Sequence, residues 1–515
     1  EFGTNSKGVT MSATTSASAA KSIRQYDPYV KNTGITEENL TDYILCQAST
    51  AREGVEILAD VMGTIGAGEG NGLFIADKNE VWYFEMLLGH NYCAIKMPSN
   101  KAAVIPNCLV IGDVDLSDKE NVIASPNLVK IAKDNGFYVP AQDGKGDINV
   151  KLSYTGKGYS AGNADRIRGG QYLLTGQDNT AIYTDDYQDI FINAKNVTVE
   201  KLYELAGYRY EDMNFGRNIS RVIGVKSSAE CHIFQIDSSM PAELATVQWV
   251  CMGNADMSTF VPFYGALLTD VSRAYKMEAH NYNSRAAYWI FRNVGFLCED
   301  GDNRIAYGKG VKQFYTAYMT KMEELQKNVN AQMLNIYKND KANLEYYATK
   351  LGIAIGDETM DFAKALYADI QTCKADGTTY EVSSLSADDI TYDLSMVAAP
   401  AKKAESTTVT KPDTQIKKVV APARVRVRAK ALKGKKAKVN LKKVAQASGY
   451  EIMYSTNMNF TKKATKKVST TKLTKTIRKL KKKKTYYIKA RAYKLDGKTK
   501  VYGKWSLIKK VVIKK

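Results

Sequence analysis

Apolar and polar positions at the start of the chain follow the period of β-strands and then that of helices. Residues 1–15 predict two strands joined by a turn at 5–8. Two helices are predicted next, at about 37–47 and about 49–65. The second begins with Thr50, three residues before Glu53, which is the spacing of a capping box.

Downstream the pattern changes from short strands to long helices. An antiparallel meander is predicted at 72–76, 81–86, 90–96 and 101–105, and further strands at 219–225, 232–235 and 245–252. Helical periodicity then dominates 284–372. Strand-rich and helix-rich stretches in this order indicate an α+β domain built in layers.

The last quarter of the chain has a different organisation. Residues 397–420 lack periodicity and contain Lys, Ser, Thr and Pro, so a linker is predicted there. It separates a first domain, 1–396, from a second, 421–515, in which seven short strands indicate a small β-sandwich.

Charge divides the chain at the same place. The whole chain has a net charge of +19, but residues 411–515 hold 35 Lys and Arg against 3 Asp and Glu, a net of +32. Residues 1–410 hold 38 basic and 51 acidic residues, a net of −13. Such asymmetry indicates separate modules with different partners.

Metal, membrane and export signals are weak. The seven cysteines occur singly and there are three histidines, so we expect no metal site. No apolar run approaches the roughly 18 residues needed to cross a bilayer. Because the chain opens on half a hairpin rather than on Met, we expect further residues upstream of Glu1, and the absence of a leader here does not bear on localisation.

Several short strings occur in an order that carries a resemblance. They are Asn5-Ser6-Lys7-Gly8-Val9-Thr10-Met11-Ser12-Ala13-Thr14, Ala51-Arg52-Glu53-Gly54-Val55, Asp77-Lys78-Asn79-Glu80-Val81-Trp82-Tyr83, Val104-Ile105-Pro106-Asn107-Cys108, Asp165-Arg166-Ile167-Arg168-Gly169-Gly170-Gln171 and Val247-Gln248-Trp249. Together they resemble the PepD-type dipeptidases over nearly all of residues 1–370. These enzymes are N-terminal-nucleophile hydrolases related to bile-salt hydrolases and penicillin V acylase.

The resemblance implies a four-layer αββα sandwich and a cysteine mechanism without a cofactor. In that family the nucleophilic cysteine becomes the first residue after processing, and its own α-amino group can serve as the base. A free α-amine titrates near 7.7–8.0, which suits proton transfer at neutral pH. The resemblance places this cysteine upstream of Glu1, so the chain as given is expected to be inactive.

Two residues match family positions close to the nucleophile. Asn107 corresponds to an asparagine that helps to polarise the scissile carbonyl, and an amide N–H is a suitable oxyanion donor. Arg166 corresponds to an arginine near the nucleophile, where a guanidinium lowers the pKa of a thiol or holds a substrate carboxylate. Taken alone, the asparagine is a turn former after proline and the arginine a surface ion-pair residue.

Four further residues are possible oxyanion or substrate contacts. Thr14 or Thr15 could donate a hydrogen bond to the oxyanion, although the family has an acidic residue where this chain has Thr15. Asp113 and Asp115 could pair with the substrate amine, since a dipeptide carries a cationic amine and an anionic carboxylate. The alternative for both aspartates is a loop-capping role.

The C-terminal module resembles bacterial fibronectin type III domains. The strings that carry this resemblance are 448–454, 480–493 and 503–506, and Tyr486, six residues after Leu480, fits the tyrosine corner of that fold. Leu441 stands where the usual tryptophan occurs. Such modules accompany secreted or wall-attached enzymes, which implies an extracellular, Gram-positive setting.

The partners expected are dipeptide substrates and, for the basic module, anionic cell-wall polymers. Nucleic acid is not expected, because lysine greatly outnumbers arginine and no nucleic-acid-reading motif occurs. Two other functions remain open: an acylamide hydrolase closer to the bile-salt hydrolases, and a non-catalytic surface-binding protein.

Overall fold

The computed structural model describes the chain except positions 143, 145, 185–188, 382–385, 387–389, 401–420, 458–459, 461–463, 497–498, 507 and 514–515. The chain divides into two compact units, Glu1–Pro400 and Ala401–Lys515. Most of the predicted linker, 397–420, lies outside the described residues, so the linker and the domain limits set by it stay a prediction.

The first unit begins with a large antiparallel sheet. The first strands of the chain are β1 (Phe2–Thr4), β2 (Thr10–Thr15), β3 (Asn71–Ala76), β4 (Val81–Met86), β5 (Tyr92–Lys96), β6 (Ala102–Ala103), β7 (Asp113–Val114) and β8 (Val122–Ala124). Six of them pair in the order β1-β2-β3-β4-β5-β8. The predicted hairpin of residues 1–15 is confirmed as β1 and β2.

Two helices, α1 (Glu37–Leu45) and α2 (Ala51–Thr64), cover one face of this sheet. Val9, Met11 and Ala13 point into that interface and are fully buried, as the period of two requires. The N-terminus of α2 is capped as predicted, because the Glu53 N–H donates to Thr50 Oγ1 at 3.1 Å.

A second sheet and its helices complete the unit. The following elements are β9 (Ile148–Asn149), β10 (Phe191–Ile192), β11 (Glu230–Ile236), β12 (Thr246–Met252), β13 (Phe260–Phe263), α3 (Leu128–Asp134), α4 (Val150–Thr155), α5 (Ala161–Thr175), α6 (Val199–Ala206), α7 (Ala242–Ala245), α8 (Ala287–Cys298), α9 (Gly301–Asn303), α10 (Lys309–Asn339) and α11 (Leu344–Asp376). Strands β11, β12 and β13 form an antiparallel sheet, against which α6, α8 and α11 pack.

The two sheets face each other. His232 Nε2 on β11 lies 2.9 Å from Ser12 Oγ on β2, and Thr4 Oγ1 lies 3.4 Å from Gln248 Oε1. The ring of Phe2 stacks on His232 with 4.0 Å between centroids. The layers therefore run helix, sheet, sheet, helix, and the expected α+β sandwich is confirmed.

Two predicted strands have a different conformation. Residues 219–225 form no strand, because the carboxylate of Asp165 accepts the N–H groups of Ser220 and Arg221 at 2.6 and 3.2 Å. Within 101–105 only β6 is extended, and it pairs with β10 since β8 occupies the place beside β5.

The second unit consists of two antiparallel sheets. Its strands are β14 (Val427–Leu432), β15 (Lys436–Leu441), β16 (Gly449–Ser455), β17 (Thr465–Thr470), β18 (Thr474–Ile477), β19 (Thr485–Asp496), β20 (Thr499–Tyr502) and β21 (Lys509–Val512). One sheet has the order β14-β15-β18, and the other has the order β17-β16-β19-β20 with β21 also paired to β19. Their inward residues form one hydrophobic core.

The tyrosine corner predicted from sequence is present. The hydroxyl of Tyr486 accepts the N–H of Lys481 at 3.0 Å, and Leu441 is buried in the core. The predicted last strand differs: 503–506 is not a strand, because Ser506 Oγ accepts the N–H of Ala490 at 2.9 Å. Across both units, the helices that the structure describes include none long and apolar enough to span a bilayer.

Candidate active site

Asn107 and Arg166, 59 residues apart in sequence, meet in the first unit. Asn107 is exposed in the loop that follows Pro106, and Arg166 is half-buried on α5. The Arg166 guanidinium donates from Nη1 to Asn107 Oδ1 at 2.6 Å. The structure therefore brings together the two residues that the sequence singled out as catalytic candidates.

Asn163, one turn before Arg166 on α5, holds both partners. Arg166 Nη2 donates to Asn163 Oδ1, Arg166 Nε donates to Gly162 O at 3.3 Å, and Asn163 Nδ2 donates to Asn107 O at 3.3 Å. Since Oδ1 of Asn107 is taken by Arg166, its Nδ2 amide is left to donate to another group. Arg166 thus orients Asn107.

Arg221 is a second cation beside this pair. Its backbone N–H donates to Asp165, and it lines an open cavity of about 400 Å³ together with Ile219, Ser220, Val222, Val225 and Ser227. Burial, followed by the charge of Arg221, lowers the pKa of Arg166. The Arg221 guanidinium forms no hydrogen bond or ion pair with a described residue.

Cys108 follows Asn107 directly but has the properties of an inert thiol. Burial raises the pKa of Cys108 to about 12, although the positive charges of Lys151 and Arg166 act in the opposite direction. The thiolate is the nucleophilic form of cysteine, and a pKa this high suppresses it at neutral pH.

A buried carboxylate supports the chain after Asn107. Glu85 on β4 is fully buried, and its Oε1 accepts the N–H groups of Val110 and Ile111 at 2.5 and 3.3 Å. Burial raises the pKa of Glu85 to about 7, while those two hydrogen bonds and the charge of Lys151 partly offset the increase. Glu85 therefore anchors the loop that carries Asn107.

This carboxylate predicts a pH-dependent stability. Because the pKa of Glu85 is higher in the folded state, about 7 against 4.5, its contribution is present at low pH and is lost as the pH rises through 7. Relative to Glu85→Gln, the wild-type protein should lose about 3 kcal/mol of unfolding free energy between about pH 4.5 and 8. Urea unfolding across this range measures the difference, with Glu56→Gln on the exposed side of α2 as the control. A difference between wild type and Glu85→Gln that does not change with pH would contradict the expectation.

The aspartates proposed as substrate contacts have local partners. Asp113 accepts the N–H of Gln142 at 3.0 Å and the amide of Asn149 at 2.6 Å. Asp115 accepts the N–H and hydroxyl of Ser117, and these bonds lower the pKa of Asp115. These contacts are those of loop-capping residues, and neither aspartate hydrogen-bonds to Asn107 or Arg166. Asp113 also lines an open cavity of about 600 Å³, so its role toward substrate stays a prediction.

Thr14 and Thr15 lie at the end of β2, where the pairing with β3 shifts register between Ala13 and Thr15. Their side chains lie outside the described residues, so a donor role stays a prediction. Among described residues, no group of three or more His, Cys, Asp or Glu is arranged to hold a metal ion.

Sequence reasoning did not find Asn163, Arg221 or Glu85. Glu85 had a signal, since it is one charged residue in the apolar strand Val81-Trp82-Tyr83-Phe84-Glu85-Met86. Asn163 and Arg221 had no such signal, because only the fold places Asn163 against Asn107 and Arg221 beside Arg166.

Comparison with known protein families assigns the two compact units of the chain to two different families. The model of the family described as "Peptidase family C69" matches residues 1–309, and that described as "Interferon-alpha/beta receptor, fibronectin type III" matches 407–506. A probable dipeptidase B of Streptococcus pyogenes serotype M1 is 32% identical over 396 residues, covering 72% of this chain and 76% of the relative. A probable dipeptidase of Salmonella dublin is 30% identical over 272 residues, covering 51% of this chain and 63% of the relative.

Solved structures match a smaller share of the chain. The FN5 domain of Drosophila Lar is 20% identical with a TM-score of 0.16, covering 18% of this chain and 99% of that domain. An Fn3-like protein from Clostridium thermocellum is 18% identical with a TM-score of 0.15, covering 18% of this chain and 94% of the other.

Proposed function

This chain belongs to peptidase family C69, and from that premise we propose that it is part of a dipeptidase whose nucleophile is an N-terminal cysteine upstream of Glu1. The observation that carries the proposal is the hydrogen-bonded pair of Asn107 and Arg166. An exposed amide whose oxygen is already bound presents its N–H groups in a fixed direction, which is what a developing oxyanion requires. Relatives named as probable dipeptidases support the choice of substrate.

In the proposed mechanism the cysteine thiolate attacks the amide carbonyl of the dipeptide. The α-amino group of the same cysteine takes the thiol proton and delivers it to the leaving amine, which departs and leaves a thioester on the cysteine. A water molecule, deprotonated by the same α-amino group, then attacks the thioester, which releases the carboxylic acid product and regenerates the thiol. Asn107 Nδ2 donates to the oxyanion of the tetrahedral intermediate. Arg166 acts through Asn107, to whose Oδ1 its Nη1 donates, and its positive charge favours the thiolate.

The internal cysteines support a nucleophile outside residues 1–515. An internal residue has no free α-amino group, so none can act as its own base. Burial raises the pKa of five of these thiols, namely Cys93, Cys108, Cys231, Cys251 and Cys298. The other two, Cys46 and Cys373, make no hydrogen bond with Asn107 or Arg166.

Thiol and metal reagents test the mechanism directly. In the protein extended upstream of Glu1, alkylation with iodoacetamide should abolish dipeptide hydrolysis, because the proposed nucleophile is a reactive thiolate. EDTA should leave the rate unchanged. The measurement is dipeptide turnover after each treatment, and activity lost to EDTA and restored by zinc would contradict the cysteine mechanism.

We further propose that Arg221 binds the substrate carboxylate, because it lines the open cavity and its guanidinium forms no hydrogen bond or ion pair with a described residue, whereas three of the five N–H groups of Arg166 are engaged. In the extended protein, Arg221→Ala should raise KM for dipeptides about 10- to 100-fold with kcat little changed, as expected for loss of one hydrogen bond to a charged group. The KM for dipeptide amides, which lack the carboxylate, should not change. Arg285→Ala, at an exposed arginine of the same unit, is the control. An equal rise in KM for dipeptides and for dipeptide amides would contradict this assignment.

For the second unit we propose attachment to an anionic wall polymer outside the cell. The net charge of +32 over residues 411–515 supports this, because a module so basic attracts polyanions by counterion release. The expected binding is sensitive to salt. Under this proposal the module holds the peptidase at the cell wall.

A further inference from the structure

The smaller sheet of the second unit has one buried and one basic face. On β15, Ala437, Val439 and Leu441 are buried in the core, whereas Lys436 and Lys438 point outward. On the neighbouring strand β14, register partners share a face. The outward face therefore carries a compact set of cations, which we call the basic face: Arg428, Lys430, Lys436 and Lys438.

Charge on the basic face is not compensated within the described module. Lys430 lies directly opposite Lys438 in the β14–β15 register. Like charges in this arrangement destabilise a sheet, and none of the four cations forms an ion pair with a described acidic residue. Positions two residues apart on a strand are about 6.6 Å apart, so the cations are close enough for one extended polyanion to contact several of them.

Neutral hydrogen-bonding groups border these cations. Thr474 and Thr476 on β18 are the register partners of Asn440 and Lys438. Thr474 Oγ1 donates to Asn440 Oδ1 at 3.1 Å. Because the amide oxygen of Asn440 is engaged in this way, its N–H groups can donate to another group. An anion on this face would thus meet amide and hydroxyl donors as well as ammonium groups.

The opposite sheet of the module is chemically different. There Arg491 forms an ion pair with Glu451 at 2.9 Å and lies between the rings of Tyr502 and Trp505, 3.7 and 4.4 Å from their centroids. Lys500 lies 4.3 Å from the ring centroid of Tyr493. On that side the Glu451 carboxylate and the aromatic rings offset part of the positive charge, whereas no described ion pair offsets the charge of the basic face.

This separation favours one class of polyanion. Proteins that bind single-stranded nucleic acid combine basic residues with aromatic platforms for the bases. The described residues of the basic face include no aromatic ring, and three of its four cations are lysines, which bind phosphate as point charges. A polymer that carries charge on its backbone and has no bases to stack fits this surface.

We propose that the basic face is the docking site for a linear polyol phosphate, with Arg428, Lys430, Lys436 and Lys438 contacting successive phosphodiesters. This inference rests on the proposed binding of anionic wall polymer by the second unit, and assigns that binding to one face. The polymer lies along β14 and β15 and relieves the repulsion between Lys430 and Lys438.

The test uses the full chain, 1–515, and purified poly(glycerol phosphate) carrying a fluorescent label. Anisotropy titrations from about 50 to about 300 mM NaCl give affinity and salt dependence. Lys430→Gln combined with Lys438→Gln should weaken binding at least about tenfold and reduce the salt slope by the two contacts removed. The matched control, Lys466→Gln with Lys467→Gln, removes the same charge from β17 of the other sheet and should change affinity less than about twofold.

Circular dichroism verifies that both double variants fold, which we expect because all four lysines lie outside the core. Three results would overturn the proposal. If both double variants weaken polymer binding equally, the basic face is rejected as the docking site, although the second unit still binds the polymer. No binding by the wild-type chain would reject the proposed partner of the module together with the face. Tighter binding of single-stranded DNA or of phosphatidylglycerol vesicles at the same salt would reject the polyol phosphate.

Discussion

Residues 1–515, purified free of other peptidases, are expected to hydrolyse no dipeptide, whereas the protein extended upstream of Glu1 is expected to hydrolyse them. The reason is chemical: no internal cysteine has the free α-amino group that serves as base, and burial keeps Cys108 protonated at neutral pH. The assay is release of free amino acids from a panel of dipeptides by equal amounts of the two proteins.

Cys108→Ala distinguishes this explanation from a misplaced nucleophile. In the extended protein the substitution should alter kcat/KM by no more than a few-fold, because the proposed mechanism does not use Cys108 as the attacking group. If residues 1–515 alone show turnover that survives purification and disappears with Cys108→Ala, the nucleophile is internal and the proposed mechanism is wrong.

Asn107→Ala in the extended protein is expected to lower kcat about 100- to 1000-fold, the usual cost of removing one oxyanion donor. Arg166→Ala should cause a loss of similar size, because it releases the orientation of the Asn107 amide. KM should change little in either variant, since the amide acts on the transition state. Steady-state kinetics on one dipeptide measure both effects, with Asn100→Ala and Arg285→Ala as exposed controls.

The double variant tests how the two residues act. If Arg166 works through Asn107, then removing both should cost about as much as removing Asn107 alone, because coupled residues are not additive. Multiplied losses would show that Arg166 contributes independently. Unchanged kinetics in both single variants would remove the pair from the active site.

Local signals in the sequence predicted much of the fold. Alternating polarity identified the strand that buries Val9 and Met11, and the capping spacing located the start of α2 at Thr50. Tyr486 is a local signal of the same kind, since the N–H that its hydroxyl accepts belongs to Lys481, five residues away. These features depend on neighbours in sequence, so the sequence contains the information needed to find them.

Strand predictions were wrong where a distant residue took the backbone hydrogen bonds. Residues 219–225 have a strand-like composition, but Asp165 accepts the N–H groups of Ser220 and Arg221 and holds the segment in a loop beside α5. At 101–105 the predicted strand is likewise shorter, because β8 occupies the position beside β5 that this strand would otherwise take. Propensity does not reveal which partner a backbone group will find.

By itself the sequence determined the family resemblance, the change from an acidic to a basic module, and Asn107 and Arg166 as candidates. Only the tertiary structure decided that Arg166 donates to Asn107, that Asn163 holds both, and that Arg221 lines the adjacent cavity. It also placed Arg428, Lys430, Lys436 and Lys438 together on the basic face, and paired Arg491 of the other sheet with Glu451. The physical reason is that hydrogen bonds and charge pairs act over a few ångströms in space, whereas Asn107 and Arg166 are 59 residues apart along the chain and Glu451 and Arg491 are 40 apart.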